Sequence, residues 1–371
     1  MSKKFFLFVS ALAVLAAYSC TGGSTADVFS EGDTIPLKYA QNITMVRYGE
    51  MVKVELSNPW GKGLLATYVL TPDRSLSSPS GREGKPWVYV PVPLRKALVF
   101  TAVHCGLICE LGMEDCIGGV CERQYIHCLT HEVVDCGNGM SPNQERIIQL
   151  HPDAMLVSPF ESNTGHDKLG QLGIPVIECA EYMEPTALGR AEWMKFYGLL
   201  LGREAEANAL FEALEARYDS LRTLAGQVSV RPRILSETPY GNVWYQPGTH
   251  STIGQIYADA GAQTAFPDYE QSGSVPLSSE QVYAGAHDAD IWLVRYDASV
   301  PKTLAELAAE AEVFSRFDAF RNGQVWGCNV ATSYFYERSP FHPDLLLSDL
   351  IQIAHPELHL NEPLHYYHLL Q

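Results

Sequence analysis

Tyr240, Trp244, Tyr245, Tyr296 and Arg338 each lie shortly after an apolar run in the second half of the chain, and His104, Phe160, Glu181 and Tyr182 hold similar places in the first half. Aromatic faces stack on flat rings. An arginine fork pairs with a carboxylate, a phosphate or an anionic metal complex. These residue types suit non-covalent capture of a large, partly apolar ring or chelate. Arg338 would be the local exception admitting an anion to a chain whose formal net charge is −17. A bare-metal site could draw instead on His104, Glu181, His250 and Asp297, although nothing in their spacing enforces convergence. The sequence contains no Gly-x-Ser-x-Gly elbow, phosphate loop or His-Glu-x-x-His, so an exported enzyme is the weaker reading. No catalytic residue, metal ligand or resident cofactor is assigned.

The elements that must position these side chains are legible as a repeat. Ser141-Pro142-Asn143-Gln144-Glu145 opens a helical run that stops at His151-Pro152-Asp153 and enters the strand Ala154-Met155-Leu156-Val157. Later, Ser278-Ser279-Glu280 opens Gln281-Val282-Tyr283-Ala284, and Asp288-Ala289-Asp290 leads into Ile291-Trp292-Leu293-Val294. In each copy a cap and an early Glu start a short helix before a buried parallel strand. Two similar α/β halves predict two lobes facing each other across a cleft, with ligand contacts from loops at the carboxyl ends of the strands. Between the halves, Ala187–Leu201 and Arg203–Leu224 form the longest helical pattern, interrupted at Gly202, and suit a rigid strut better than a hinge. Upstream, Ile43–Tyr48 and Val52–Leu56 flank Gly49-Glu50-Met51 as a hairpin. They belong to a β extension that includes the polar loop Ser75–Lys85.

The N-terminus predicts where the protein works. Lys3 and Lys4 precede a run from Phe5 to Ala17 that is apolar except for Ser10 and too short for a membrane span, and small residues then lead to Cys20. This segment resembles a bacterial lipoprotein signal, which implies lipidation of Cys20 and an envelope protein anchored through it, with Thr21–Ala26 as a tether. The strong acidity argues against nucleic acid as a partner. Nine cysteines are present, and Cys105, Cys109, Cys116, Cys121, Cys128 and Cys136 crowd together. Disulfides or buried thiols are expected ahead of metal there, with connectivity left open.

The order of Pro142-Asn143-x-Glu145, Leu150-x-Pro152-Asp153, Gly173-Ile174-Pro175-Val176, a long helix, Thr252-Ile253-Gly254, Ser279-Glu280-Gln281-Val282 and Asn322-Gly323-Gln324-Val325 resembles the helical-backbone class of substrate-binding proteins. Those proteins serve ABC importers of iron chelates, vitamin B12 and haem. His287-Asp288-Ala289-Asp290 departs from the Pro-Asp pair usual there. The resemblance implies two Rossmann-like α/β lobes joined by a long rigid helix, with a ligand cleft between them. It implies that Glu145 and Glu280 dock onto basic pockets of a permease dimer, and that the ligand is an iron chelate, corrinoid or haem. A zinc or manganese receptor of the same fold is the alternative. The expected organisation is a signal peptide over 1–19, tether and β extension over 20–90, a first lobe over 91–186, the connecting helix over 187–226 and a second lobe over 227–371.

Overall fold

The computed structural model describes residues 29, 31–76, 87–161 and 169–371. The signal segment, Cys20, the tether, Ser162 and most of the Ser75–Lys85 loop lie outside the described residues. Among the described residues no helix is long and apolar enough to cross a membrane.

The β extension is a five-stranded sheet of Asp33–Ile35, Ile43–Tyr48, Met51–Ser57, Leu64–Thr71 and Val88–Pro91, in that order. The expected hairpin is present, with Tyr48 opposite Met51. Alternation along Met51–Ser57 turns Val52, Val54 and Leu56 inward. Two buried carboxylates tie the extension to the connecting helices. Glu192 accepts the backbone N–H groups of Lys38, Tyr39 and Ala40 at 2.7–3.0 Å. Glu184 accepts those of Gln41 and Asn42 at 2.8 Å and the indole N–H of Trp193 at 2.8 Å. Buried charge is costly unless fully hydrogen-bonded, and these bonds satisfy it.

Lobe one is a parallel sheet ordered Val176–Glu178, Ala154–Val157, Ala97–Val99, Ile117–Val120, Val134–Asp135. Every residue of Ala97–Val99 and Ala154–Val157 is buried, as expected of strands covered on both faces. Lobe two is ordered Gln263–Thr264, Arg233–Ser236, Ile291–Tyr296, Val325–Asn329, His368–Leu369, with the last strand antiparallel. Its strand order reverses between Arg233–Ser236 and Ile291–Tyr296, the kind of switch point outside which open α/β sheets bind ligands.

The strut runs as Ala187–Glu192, Met194–Leu201 and Glu204–Ala225. It is broken at Gly202, whose φ of 66° is left-handed and ends the second helix. The 22-residue third helix spans roughly 33 Å and buries Ala207, Phe211, Leu214, Tyr218 and Leu221 along one stripe. The lobes also meet directly, where Ala102–Glu110 packs on the short helix Phe335–Arg338. A Cβ on Gly106 would lie 2.2 Å from the Glu337 carbonyl oxygen, so this approach requires glycine. One buried cluster runs from the extension through lobe one and the strut into the helix Pro343–Ala354. A second fills the far side of lobe two.

Candidate functional site

A cleft of about 780 Å³ opens at the lobe-two switch point. Glu237 follows the strand Arg233–Ser236, and Arg295 and Tyr296 end the strand Ile291–Tyr296. Tyr240 stands on a tight turn closed by its N–H donating to the Val243 carbonyl at 2.8 Å. Tyr334 and Tyr336 come from the segment after Val325–Asn329, and Gln124, Tyr125 and His127 supply the lobe-one wall. Four of these tyrosines are exposed: Tyr125 by 55%, Tyr240 by 85%, Tyr334 by 46% and Tyr336 by 48%. Exposed tyrosines converging from both lobes are unusual enough to indicate a binding surface.

Charge in the cleft is arranged around Arg295. Its Nε donates to Glu237 Oε1 at 2.6 Å, and its guanidinium lies 5.4 Å from the Phe335 ring centre and 5.9 Å from that of Tyr336. Burial works against the guanidinium charge, yet the Glu237 carboxylate outweighs it and holds Arg295 above its ordinary value. Glu337, nearly buried, accepts the backbone N–H of His127 at 2.7 Å and of Cys128 at 3.0 Å, and so joins the two walls. A smaller cavity of about 420 Å³ adjoins, lined by Gly106, Cys109, Glu110, His127, Cys128, Tyr334, Glu337 and Arg338. Arg338 is exposed there and has no ion pair among the described residues.

The sequence-predicted residues are divided by this geometry. Tyr240 and Tyr296 line the cleft, and Arg338 faces the adjoining cavity. Trp244 must be corrected. It is fully buried, its ring packs 5.7–5.8 Å from those of Trp292, Phe314 and Phe317, and its N–H donates to the Ser236 carbonyl. Strand alternation explains this, because Trp244 points inward and its neighbour Tyr245 outward. Tyr245 lines a separate recess of about 120 Å³ behind Arg295 and Glu237. Tyr240, Trp244, Tyr245 and Arg338 therefore do not gather in one site.

His104 and Glu181 meet each other inside lobe one instead of facing the cleft. His104 Nε2 lies 3.4 Å from Glu181 Oε1, its Nδ1 is 3.1 Å from the Thr101 hydroxyl, and both side chains are buried. Burial opposes the Glu181 charge, but His104 and Arg190 overcome it and hold the carboxyl below its usual range. Tyr182 donates to the Pro159 carbonyl, beside the half-buried Phe160. The metal set imagined from His104, Glu181, His250 and Asp297 does not converge. Among the described residues, the one group that could hold an ion is Glu114, Asp115 and His131.

The sequence reading missed Glu237, Gln124, Tyr125 and His127. Glu237 was within reach of the strand-end rule it applied. The other three follow Ile117–Val120, whose two glycines conceal a strand.

The periplasmic binding protein family matches residues 108–330 of the chain. This chain belongs to the periplasmic binding protein family. The matched span excludes the β extension of this binding protein. An uncharacterized lipoprotein of Methanocaldococcus jannaschii is 24% identical over 358 residues, covering 89% of this chain and 84% of its own length. A second uncharacterized lipoprotein of that organism is 27% identical over 233 residues, 61% of this chain and 59% of the relative. Among solved structures, the molybdate-bound MolA of Haemophilus influenzae superposes with a TM-score of 0.60 at 17% identity, over 74% of this chain and 90% of its own. The heme-binding protein RhuT of Roseiflexus sp. RS-1 gives 0.56 at 19% identity, over 71% and 99%. The siderophore-binding FhuD of Vibrio cholerae gives 0.53 at 19% identity, over 70% and 99%. At such identities these structures establish the fold and not the ligand.

Proposed function

We propose that the protein is the solute-binding lipoprotein of an ABC importer, anchored through Cys20, that captures an intact iron chelate, corrinoid or haem and delivers it to the permease. The observation that carries this reading is the cleft itself, in which four exposed tyrosines from both lobes surround the Arg295–Glu237 pair. A bare ion needs converging donors, whereas rings of this kind offer broad faces to a large ligand. Lobe-two tyrosines and the lobe-one Tyr125 would hold the ligand from both sides, with Arg338 free to pair with an anionic edge. Relatives named as lipoproteins support the anchor.

The test is calorimetric titration with a ferric hydroxamate siderophore, cobalamin, haem, molybdate and zinc. Saturable binding of one of the first three is expected. Tyr125→Ala and Tyr240→Ala should each weaken it about 3- to 10-fold, the equivalent of ~0.5–1.5 kcal/mol per ring contact. Binding of molybdate or zinc alone, or unchanged affinity in both variants, would refute the ligand class.

A further inference from the structure

The sulfur atoms of Cys109 and Cys128 stand 2.9 Å apart on the lobe-one side of the cleft. Cys109 lies in the last turn of the helix Ala102–Glu110, and Cys128 ends the segment whose backbone Glu337 holds. Of the eight described cysteines, six are buried. Cys109 and Cys128 are the two that are half-buried, and both line the 420 Å³ cavity, where a small oxidant has access. A disulfide needs its sulfurs at about 2.05 Å, so closing this pair brings them about 0.9 Å nearer.

We infer that Cys109 and Cys128 are a modification site, joined in the exported protein by a disulfide that fixes the Gln124–Cys128 wall of the ligand cleft. This rests on the envelope location proposed above, because disulfides persist in oxidising compartments. A metal is the rival occupant of a thiol pair. No histidine or carboxylate completes a set of three around these sulfurs among the described residues. Cys121 and Cys136 also neighbour each other, following the paired residues Val120 and Asp135, but both are fully buried.

The chemistry is exchange with a disulfide oxidant. The thiolate of one cysteine of the pair attacks the oxidant's S–S bond, forming a mixed disulfide and releasing one thiol. The other cysteine's sulfur then attacks that sulfur and displaces the second oxidant sulfur, the Cys109–Cys128 bond forms, and both protein protons end on the two released thiols. The contact with Cys109, followed by burial, pushes the Cys128 thiol up. The bond would tie the helix Ala102–Glu110 to the segment that carries Gln124, Tyr125 and His127 into the cleft.

The exported protein is to be incubated with oxidised glutathione or with dithiothreitol, denatured, alkylated and mapped by mass spectrometry. The expected product of oxidation is a peptide pair linked through Cys109 and Cys128, absent after dithiothreitol. Alkylation of both residues in the oxidised sample, a stable glutathione adduct on either, or linkage of either to another cysteine would overturn the assignment. Hydrogen exchange provides the second readout. Amides of residues 124–128 should exchange about 10-fold more slowly after oxidation, and Cys109→Ser/Cys128→Ser should match the reduced protein under both conditions. Equal exchange in the oxidised and reduced protein would overturn the fixing of the wall. Neither readout uses a ligand, so failure here leaves the solute-binding proposal standing.

Discussion

The Glu337 carboxylate of lobe two accepts the backbone N–H of His127 in lobe one at 2.7 Å, and the same oxygen takes the Cys128 N–H at 3.0 Å. One nearly buried acid thus satisfies two amides of the opposite wall. Removing it leaves both amides and the desolvated cleft edge without an acceptor. Glu337→Ala should lower stability by about 2–3 kcal/mol, and Glu337→Gln, which keeps an acceptor oxygen, by about 1 kcal/mol. Urea denaturation followed by circular dichroism measures both. Midpoints equal to that of the parent protein would show that the wall is held elsewhere.

A second interlobe contact is sensitive to pH. His342 Nε2 lies 2.7 Å from Glu110 Oε2, and its Nδ1 lies 3.5 Å from Asp344 Oδ1. Burial opposes protonation of His342, but Asp344 and Glu110 outweigh it and raise the imidazole to about 9. A raised folded-state value means that the contribution is fully present below pH 6.5 and is lost as pH rises through 9. The protein should therefore lose on the order of 2–3 kcal/mol between pH 6.5 and pH 9.5 through this group. His342→Gln should flatten that part of the profile. Thermal unfolding across the range decides, and identical profiles for the two proteins would contradict the linkage.

How far the sequence reaches is visible in particular residues. The helix starts at Asn143 and Ser278 were legible because each cap side chain accepts a backbone N–H three residues on, a local interaction that leaves a local signature. The strut was legible from its stripe of Ala207, Phe211, Leu214 and Tyr218. The site was less so. A strand-end rule placed Tyr240, Tyr296 and Arg338 near the cleft, but it could not tell which of Trp244 and Tyr245 pointed inward, because that depends on the register of Trp244 opposite Leu277. Tyr125 and His127 enter the cleft after a strand containing Gly118 and Gly119, and glycines carry little strand propensity.

Trp244 supplies a test that separates core from cleft. Its ring sits among Trp292, Phe314 and Phe317, and its indole N–H is satisfied by Ser236. Trp244→Ala should cost about 3–5 kcal/mol of stability, the range for emptying a large aromatic site. Tyr240→Ala, at a residue 85% exposed, should leave the melting temperature of the empty protein nearly unchanged. Differential scanning calorimetry of the two variants checks the contrast. A stable Trp244→Ala with weakened ligand binding would return Trp244 to the site.

The docking role proposed for Glu145 and Glu280 rests on their equivalent placement. Each is exposed in the first turn of a short helix, Gln144–Leu150 in lobe one and Ser279–Ala286 in lobe two. The backbone N–H of Glu280, and next the Ser278 hydroxyl, hold the Glu280 carboxyl below the usual range and keep it ionised. Two carboxylates, one per lobe and outside the cleft lining, could engage the two halves of a permease dimer through charge-assisted contacts. Glu145→Lys/Glu280→Lys should abolish uptake in cells, because each arginine pocket would then face a like charge, and either single reversal should reduce it. The purified double variant should bind its ligand with the affinity of the parent protein, since neither residue lines the cleft. Uptake measured beside calorimetric affinity resolves the two roles. Unimpaired uptake would exclude docking through these residues, and a loss of ligand affinity would place them in the binding site instead.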